Sequence, residues 1–224
     1  GGLEIRRLAG VVAGAGSGPR AAKLAQLLDL PLLPALPAVD GPALCLVVDN
    51  ADLVLLSLGP RAPGPVRVAF DDPALRHRRR GGHNELLGRA VGWRARRAPR
   101  VIDATAGFGR DAFTLADLGC EVLLCERDPV MALLLDDALE RARDSDDEWL
   151  CRVTARLALR CHDARRLTER EVAGCDVIYL DPMFPVQRRA LPGKEMQVLQ
   201  ALVGKGDLAI DDADRESLLS WALA

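Results

Sequence analysis

Val101-Ile102-Asp103-Ala104-Thr105-Ala106-Gly107-Phe108-Gly109-Arg110-Asp111 is the stretch on which the fold turns. A short β-branched run ends on an acid, two glycines permit a tight turn, and a helix-forming segment runs from Asp111 to Leu118 and stops at Gly119. The alternation continues downstream. Val122 to Cys125 reads as a second strand, and Asp128 can cap a helix that starts at Pro129 and runs to about Arg143, with Val130, Leu133, Leu134, Asp137 and Ala138 at helical spacing. Asp144 to Glu148 reads as a solvated acidic loop, Asp176 to Leu180 as a third clear strand and Lys194 to Val203 as a further helix. Strands and helices in alternation predict a Rossmann-like α/β fold, a parallel sheet with helices on both faces.

Upstream of this pattern a smaller piece is expected, so the chain divides into a small N-terminal α/β subdomain at 1–75 and a main domain at 76–224. Val11-Val12 leads through Gly14-Ala15-Gly16-Ser17-Gly18 into a helix from Pro19 to Leu28, which ends before Pro31, Pro34 and Pro37. Ala43 to Val48 and Leu53 to Leu58 read as a hairpin across Asp49-Asn50-Ala51-Asp52, and Pro65 to Phe70 alternates like a third short strand. The early glycine loop lacks the Lys-Ser/Thr ending of a phosphate-binding P-loop.

Composition excludes several classes. With 224 residues, 49% hydrophobic and 28% charged, the chain can bury a sizeable core, and no apolar run reaches the roughly 20 residues of a membrane helix. The six cysteines form no C-x-x-C pair and mostly sit in apolar runs, so no zinc or other metal site is expected. That pattern, with a start lacking the order of a signal peptide, predicts a cytoplasmic location. A net charge of -2 confines any nucleic-acid contact to a local patch. One candidate is Arg76, Arg78, Arg79, Arg80, Arg89, Arg94, Arg96, Arg97 and Arg100, which fall within 25 residues with Glu85 as the single acid among them.

Open α/β sheets bind ligands beyond the carboxyl ends of their strands. Acids stand where each strand runs out: Asp103, Glu126, Asp163 and Asp181. Gly107, Gly109 and Ala112 complete G-x-G-x-x-A, which fits NAD and S-adenosylmethionine alike, and Glu126, 17 residues after Gly109, suits the ribose hydroxyls of either. Asp103 separates them. An anion beside the glycine turn repels a pyrophosphate and tolerates an ammonium, which favours the methyl donor. Asp181-Pro182-Met183-Phe184-Pro185 then presents a carboxylate, backbone carbonyls and an aromatic face, a setting for an exocyclic amino group on a flat base.

VIDATAGFGRDAF, the strand-end Glu126-Arg127-Asp128-Pro129, YLDPMFP, Lys194 to Met196 and the HRRRGG segment at His77 to Gly82 together resemble the ribosomal RNA small subunit methyltransferase J family. The similarity runs in order over roughly residues 43 to 210. It implies a class I S-adenosylmethionine-dependent methyltransferase acting on the exocyclic N2 of a guanine in bacterial small-subunit rRNA, free or in a 30S particle, with S-adenosylhomocysteine as product. Carried over residue by residue, it implies donor contacts at Arg110, Asp111, Glu126 and Arg127, Asp163 and Ala164 beside the adenine, and Asp181 near the methyl group. Asp181, Pro182 and Phe184 would handle the acceptor base, and Arg78, Arg79 and Arg80 would meet RNA. A seven-stranded methyltransferase sheet needs three strands beyond the helix expected at Arg215 to Leu223, so C-terminal strands are expected to be missing from this chain. Two other readings are a NAD-dependent oxidoreductase and a non-catalytic rRNA-binding or assembly protein.

Overall fold

The computed structural model describes residues 8–49, 52–60, 62–73, 75–76, 85–94, 96–181 and 212–224. The helix expected at Lys194 to Val203, the basic run Arg78 to Arg80, and Pro182 and Phe184 lie outside the described residues. Among the described residues the chain forms two compact units. One spans Leu8 to Arg67 and takes in 212–216; the other spans Val68 to Asp181 and Ser217–Ala224.

In the first unit, β1 (Leu8–Ala13), β2 (Leu32–Leu33), β3 (Ala43–Asp49) and β4 (Asp52–Leu58) make one sheet in the order β2-β1-β3-β4, and α1 (Gly18–Leu28) connects β1 to β2. β1 runs parallel to both neighbours, so the upstream strand-loop-helix and the hairpin share one sheet. The expected hairpin forms, with Asp49 paired opposite Asp52. The third strand expected at Pro65 to Phe70 does not form. Val66 alone pairs, exchanging both backbone hydrogen bonds with Leu55 at 2.9 Å. Beyond it the Val68 carbonyl accepts the Arg141 guanidinium at 2.6 Å, and Phe70 stacks on Phe113 with centroids 4.9 Å apart, so side-chain contacts of the second unit take over from a ladder.

The second unit is built on β5 (Arg100–Asp103), β6 (Glu121–Cys125), β7 (Leu157–Arg160) and β8 (Val177–Tyr179), all parallel, in the order β7-β6-β5-β8. Its helices are α2 (Glu85–Ala90), α3 (Arg110–Asp117), α4 (Pro129–Arg143), α5 (Glu148–Thr154) and α6 (Glu169–Ala173), and α7 (Asp212–Leu223) ends the chain. Successive crossovers carry the chain from β5 to β6 to β7, then back to β8 on the other side of β5. The direction therefore reverses between β5 and β8, where a doubly wound sheet opens a crevice.

Alternation along the strands assigns the two faces. Ile102, Leu123, Cys125 and Ile178 meet Ala164, Leu167, Val172 and Trp221 on one face. On the other, Leu124 faces α3 and α4, whose Phe113, Leu115, Leu134, Leu135 and Leu139 are fully buried. Asp128 caps α4 as its sequence suggests, accepting from the Val130 and Met131 amides at 2.9 and 2.8 Å. Asp137, which shares the apolar spacing, is indeed buried, and Arg141 neutralises it at 2.9 Å one turn on. The acidic segment is a loop as read from Asp144 to Asp147, but its last residue caps a helix that the sequence reading did not include. Asp147 accepts from the Trp149 and Leu150 amides and starts α5, while Arg76 pairs with it and lies 4.7 Å over the Trp149 ring. An N-cap aspartate and a surface aspartate look alike in sequence unless the following helix is long enough to show its period.

Candidate active site

The site forms where β5, β6 and β8 end. β5 delivers Asp103, which is 2% exposed, and one of its carboxylate oxygens accepts the Thr105 amide at 3.1 Å. The chain then turns through Gly107 and Gly109, at φ +51 and +69, and the Gly109 amide donates to the Ala106 carbonyl at 2.7 Å. The two glycines differ in surroundings. A Cβ on Gly109 would lie 2.8 Å from Leu135 Cδ1, whereas one on Gly107 would meet nothing nearer than the Thr105 carbonyl oxygen at 3.9 Å. Gly109 thus packs the turn onto the core, and Gly107 opens toward the crevice.

β6 ends one residue before Glu126. Its two carboxylate oxygens accept the Gly107 amide at 2.9 Å and the Asp128 amide at 2.8 Å, which ties the glycine turn to the start of α4. Each oxygen keeps a further lone pair for another donor. Burial first, then repulsion from Asp111, Glu126 and Asp181, pushes the Asp103 carboxyl up to about 7. Glu126 is likewise pushed up to about 7, mainly by burial, against the pull of its two amide donors and Arg127.

Asp111 sits in the first turn of α3, where an acid suits the helix dipole. The Tyr179 hydroxyl donates to its carboxylate at 2.9 Å. Tyr179 stands opposite Asp103 in the β5–β8 register, and two residues later the Asp181 amide donates to Thr105 Oγ at 2.9 Å. Partial burial and then the neighbouring Asp111 raise the Asp181 carboxyl above the usual range. Asp111, Glu126 and Asp181 raise the Asp103 carboxyl and Asp111 raises that of Asp181, so the four carboxylates share one neighbourhood at the strand ends.

Other sequence-selected residues lie around this group. Arg110 opens α3, its guanidinium 5.5 Å from the Phe108 ring centroid. Arg127 is close enough to favour the ionised forms of Glu126, Asp128 and Asp163. Asp163 starts a 3-10 turn after β7 and is gripped by Arg165, through the amide and Nε at 2.9 Å and Nη2 at 2.6 Å, so Arg165 holds its carboxyl below the usual range. Ala164 is buried in the core beneath it. Sequence reasoning missed Tyr179 and Thr105. Tyr179 is the only tyrosine in the chain and stands two residues before Asp181, yet only the strand register reveals that it meets Asp111.

Of the arginine cluster, Arg78, Arg79 and Arg80 lie outside the described residues. Arg76 is committed to Asp147 and Trp149. Arg94, Arg96, Arg97 and Arg100 are exposed and precede or open β5, at the end of the sheet away from the carboxylates.

Comparison with known proteins gives a consistent picture. A family described as "Putative SAM-dependent methyltransferase" matches residues 33–224. The chain is 45% identical over 206 residues to Ribosomal RNA small subunit methyltransferase J of Pseudomonas paraeruginosa, covering 89% of this chain and 74% of that protein. It is 45% identical over 206 residues to the protein of the same name from Coxiella burnetii, covering 91% and 76%. Among solved structures it is similar to a SAM-dependent methyltransferase from Neisseria gonorrhoeae, with a TM-score of 0.64, 29% identity, and 95% of this chain and 78% of that one covered.

Proposed function

The chain belongs to the ribosomal RNA small subunit methyltransferase J family, and on that premise we propose that it methylates the exocyclic N2 of a guanine in small-subunit rRNA, in the cytoplasm. It is a SAM-dependent methyltransferase, which overturns the dinucleotide oxidoreductase alternative. No described helix is long and apolar enough to cross a membrane.

The observation that carries the reading is the strand-end carboxylate array. Two of its members are raised to about 7, both chiefly by burial and Asp103 also by its acidic neighbours, so a cationic group in the crevice would relieve a strain that a pyrophosphate would aggravate. The open space beyond Gly107 gives such a ligand a backbone to lie against. The residues present fit S-adenosylmethionine. When bound it supplies an electrophilic methyl group on a sulfonium centre.

The chain's own residues do the rest. Glu126, fixed by two amides, would accept the ribose hydroxyls; Asp103 and Asp111 would face the ammonium; Arg110 and Arg127 would frame the donor's ends. Asp163 and Ala164 would border the adenine, with Arg165 holding Asp163 in place. Asp181 would accept a guanine amino hydrogen, orient the nitrogen lone pair toward the methyl group, and take the proton released as the N–C bond forms and the S–C bond breaks. Pro182, through its carbonyl, and Phe184, by stacking, keep the acceptor-side roles read from sequence. A paired guanine would first have to leave its stack at a cost of about a few kcal/mol.

Methyl transfer from labelled donor to unmodified 30S subunits and to naked small-subunit rRNA, followed by identification of the product nucleoside, tests this directly. N2-methylguanosine from either substrate supports the reading. A different methylated nucleoside overturns the N2 assignment, and RNA binding without methyl incorporation supports the non-catalytic alternative instead.

A further inference from the structure

Five described arginines that the catalytic crevice does not use, Arg89, Arg94, Arg96, Arg97 and Arg100, lie before or at the start of β5. β5 begins at Arg100 and ends at Asp103, so Arg100 and the carboxylate array stand about 10 Å apart, at opposite ends of the strands. The segment before it is pinned to that far end. Trp93 Nε1 donates to the Leu118 carbonyl just past α3 at 2.8 Å, the Arg94 and Arg97 backbones pair in a tight turn, and Asp176 before β8 accepts the Arg100 amide at 2.9 Å. Arg94, Arg96, Arg97 and Arg100 are exposed there, and α2, packed against the end of α3, adds Arg89. Among the described residues the nearby acids include Glu85, one turn before Arg89 on α2. Asp117 accepts the Trp149 indole at 2.7 Å, Asp176 holds the Arg100 amide with the Arg97 guanidinium at 3.8 Å, and Glu121 opens β6. The acidic turn at 144–148 is at the same end but beyond α4, on the β7 side.

We infer that Arg89, Arg94, Arg96, Arg97 and Arg100 form a second RNA-contacting surface, which holds phosphates of a substrate segment remote from the nucleotide at the catalytic crevice. The inference rests on the proposed rRNA substrate and extends it. Side chains that bring five positive charges to one exposed end suit a polyanionic backbone, and binding there carries no base specificity. This surface lies at the other end of β5 from the crevice, so a substrate engaged by both extends beyond the nucleotide in the crevice, by several nucleotides or by folding back over the protein.

The test compares the wild type with R94A/R96A/R97A, whose exposed side chains make little structural contribution. Affinity for small-subunit rRNA is measured against salt concentration, and separately for a short RNA fragment holding the nucleotide that the wild type methylates. Three lost contacts should lower the slope of log affinity against log salt by about 2 on the long RNA, raise KM there with kcat kept, and leave the fragment and S-adenosylhomocysteine affinity within about twofold. Equal salt slopes for the two proteins overturn the surface, and so does an equal loss on fragment and full-length RNA. Absence of methyl transfer by the wild type would sink the proposed function instead, while the salt slopes would still decide the role of the arginines.

Discussion

The Tyr179 hydroxyl donates to the Asp111 carboxylate at 2.9 Å, joining the last residue of β8 to the first turn of α3 across the mouth of the crevice. A hydrogen bond to a charged group contributes about 1.5–3 kcal/mol. Tyr179→Phe should therefore free Asp111 to rotate and weaken S-adenosylmethionine binding about tenfold or more, with a smaller effect on kcat. Calorimetric titration with a parallel melting curve checks this, since an equal loss of stability would indicate a packing role.

Asp181→Ala should abolish methyl transfer while leaving the fold intact and donor binding reduced only several-fold. Asp181 is exposed, and its amide bond to Thr105 Oγ does not depend on the side chain. Near-normal turnover by this variant would remove Asp181 from the chemistry.

Gly107→Ala and Gly109→Ala should fail differently. Both place a Cβ at positive φ, which costs about 1–2 kcal/mol. At Gly109 the added methyl also collides with Leu135 at 2.8 Å and with Phe70 Cζ at 3.2 Å, so the total loss should reach about 2–5 kcal/mol. At Gly107 the methyl enters open space, so the protein should fold and lose donor affinity. Melting temperature and S-adenosylhomocysteine titration, run on both variants, separate the two outcomes.

The carboxylate array makes stability and donor binding respond oppositely to pH. Asp103 and Glu126 titrate at about 7 when folded, above their ordinary values, so the folded protein binds protons more tightly than the unfolded chain. Their contribution to stability is fully present below about pH 4 and is lost as pH rises through about 7. A cationic donor prefers the ionised array. Its affinity, and the thermal shift it produces, should rise between about pH 6 and 8, and more steeply for S-adenosylmethionine than for S-adenosylhomocysteine, which lacks the sulfonium charge. A flat profile for both ligands would show that the array does not face the donor's charge.

Much of the site was legible because its elements are short and local. A strand ending on Asp103, a glycine turn into α3, and Asp128-Pro129 at the start of α4 each announce themselves within a few residues, by burial pattern, positive φ and capping chemistry. Elements whose cause is distant were not. α5 is capped by Asp147, the last residue of an acidic loop, and the alternation from Pro65 to Phe70 gives way to contacts with Arg141 and Phe113. In both places a partner far along the chain decides the conformation.

By itself the sequence determined the parallel α/β sheet, the strand ends that carry acids and the family resemblance, because period, turn residues and motif order are properties of neighbouring positions. Tertiary structure decided which of those acids influence one another and which cations are near them. The strand order β7-β6-β5-β8 brings Asp181 beside Asp103 from 78 positions away, register sets Tyr179 across from it, and the length of β5 holds the arginines at the opposite end. Charges interact through space, and only the pairing of strands fixes the distances over which they do.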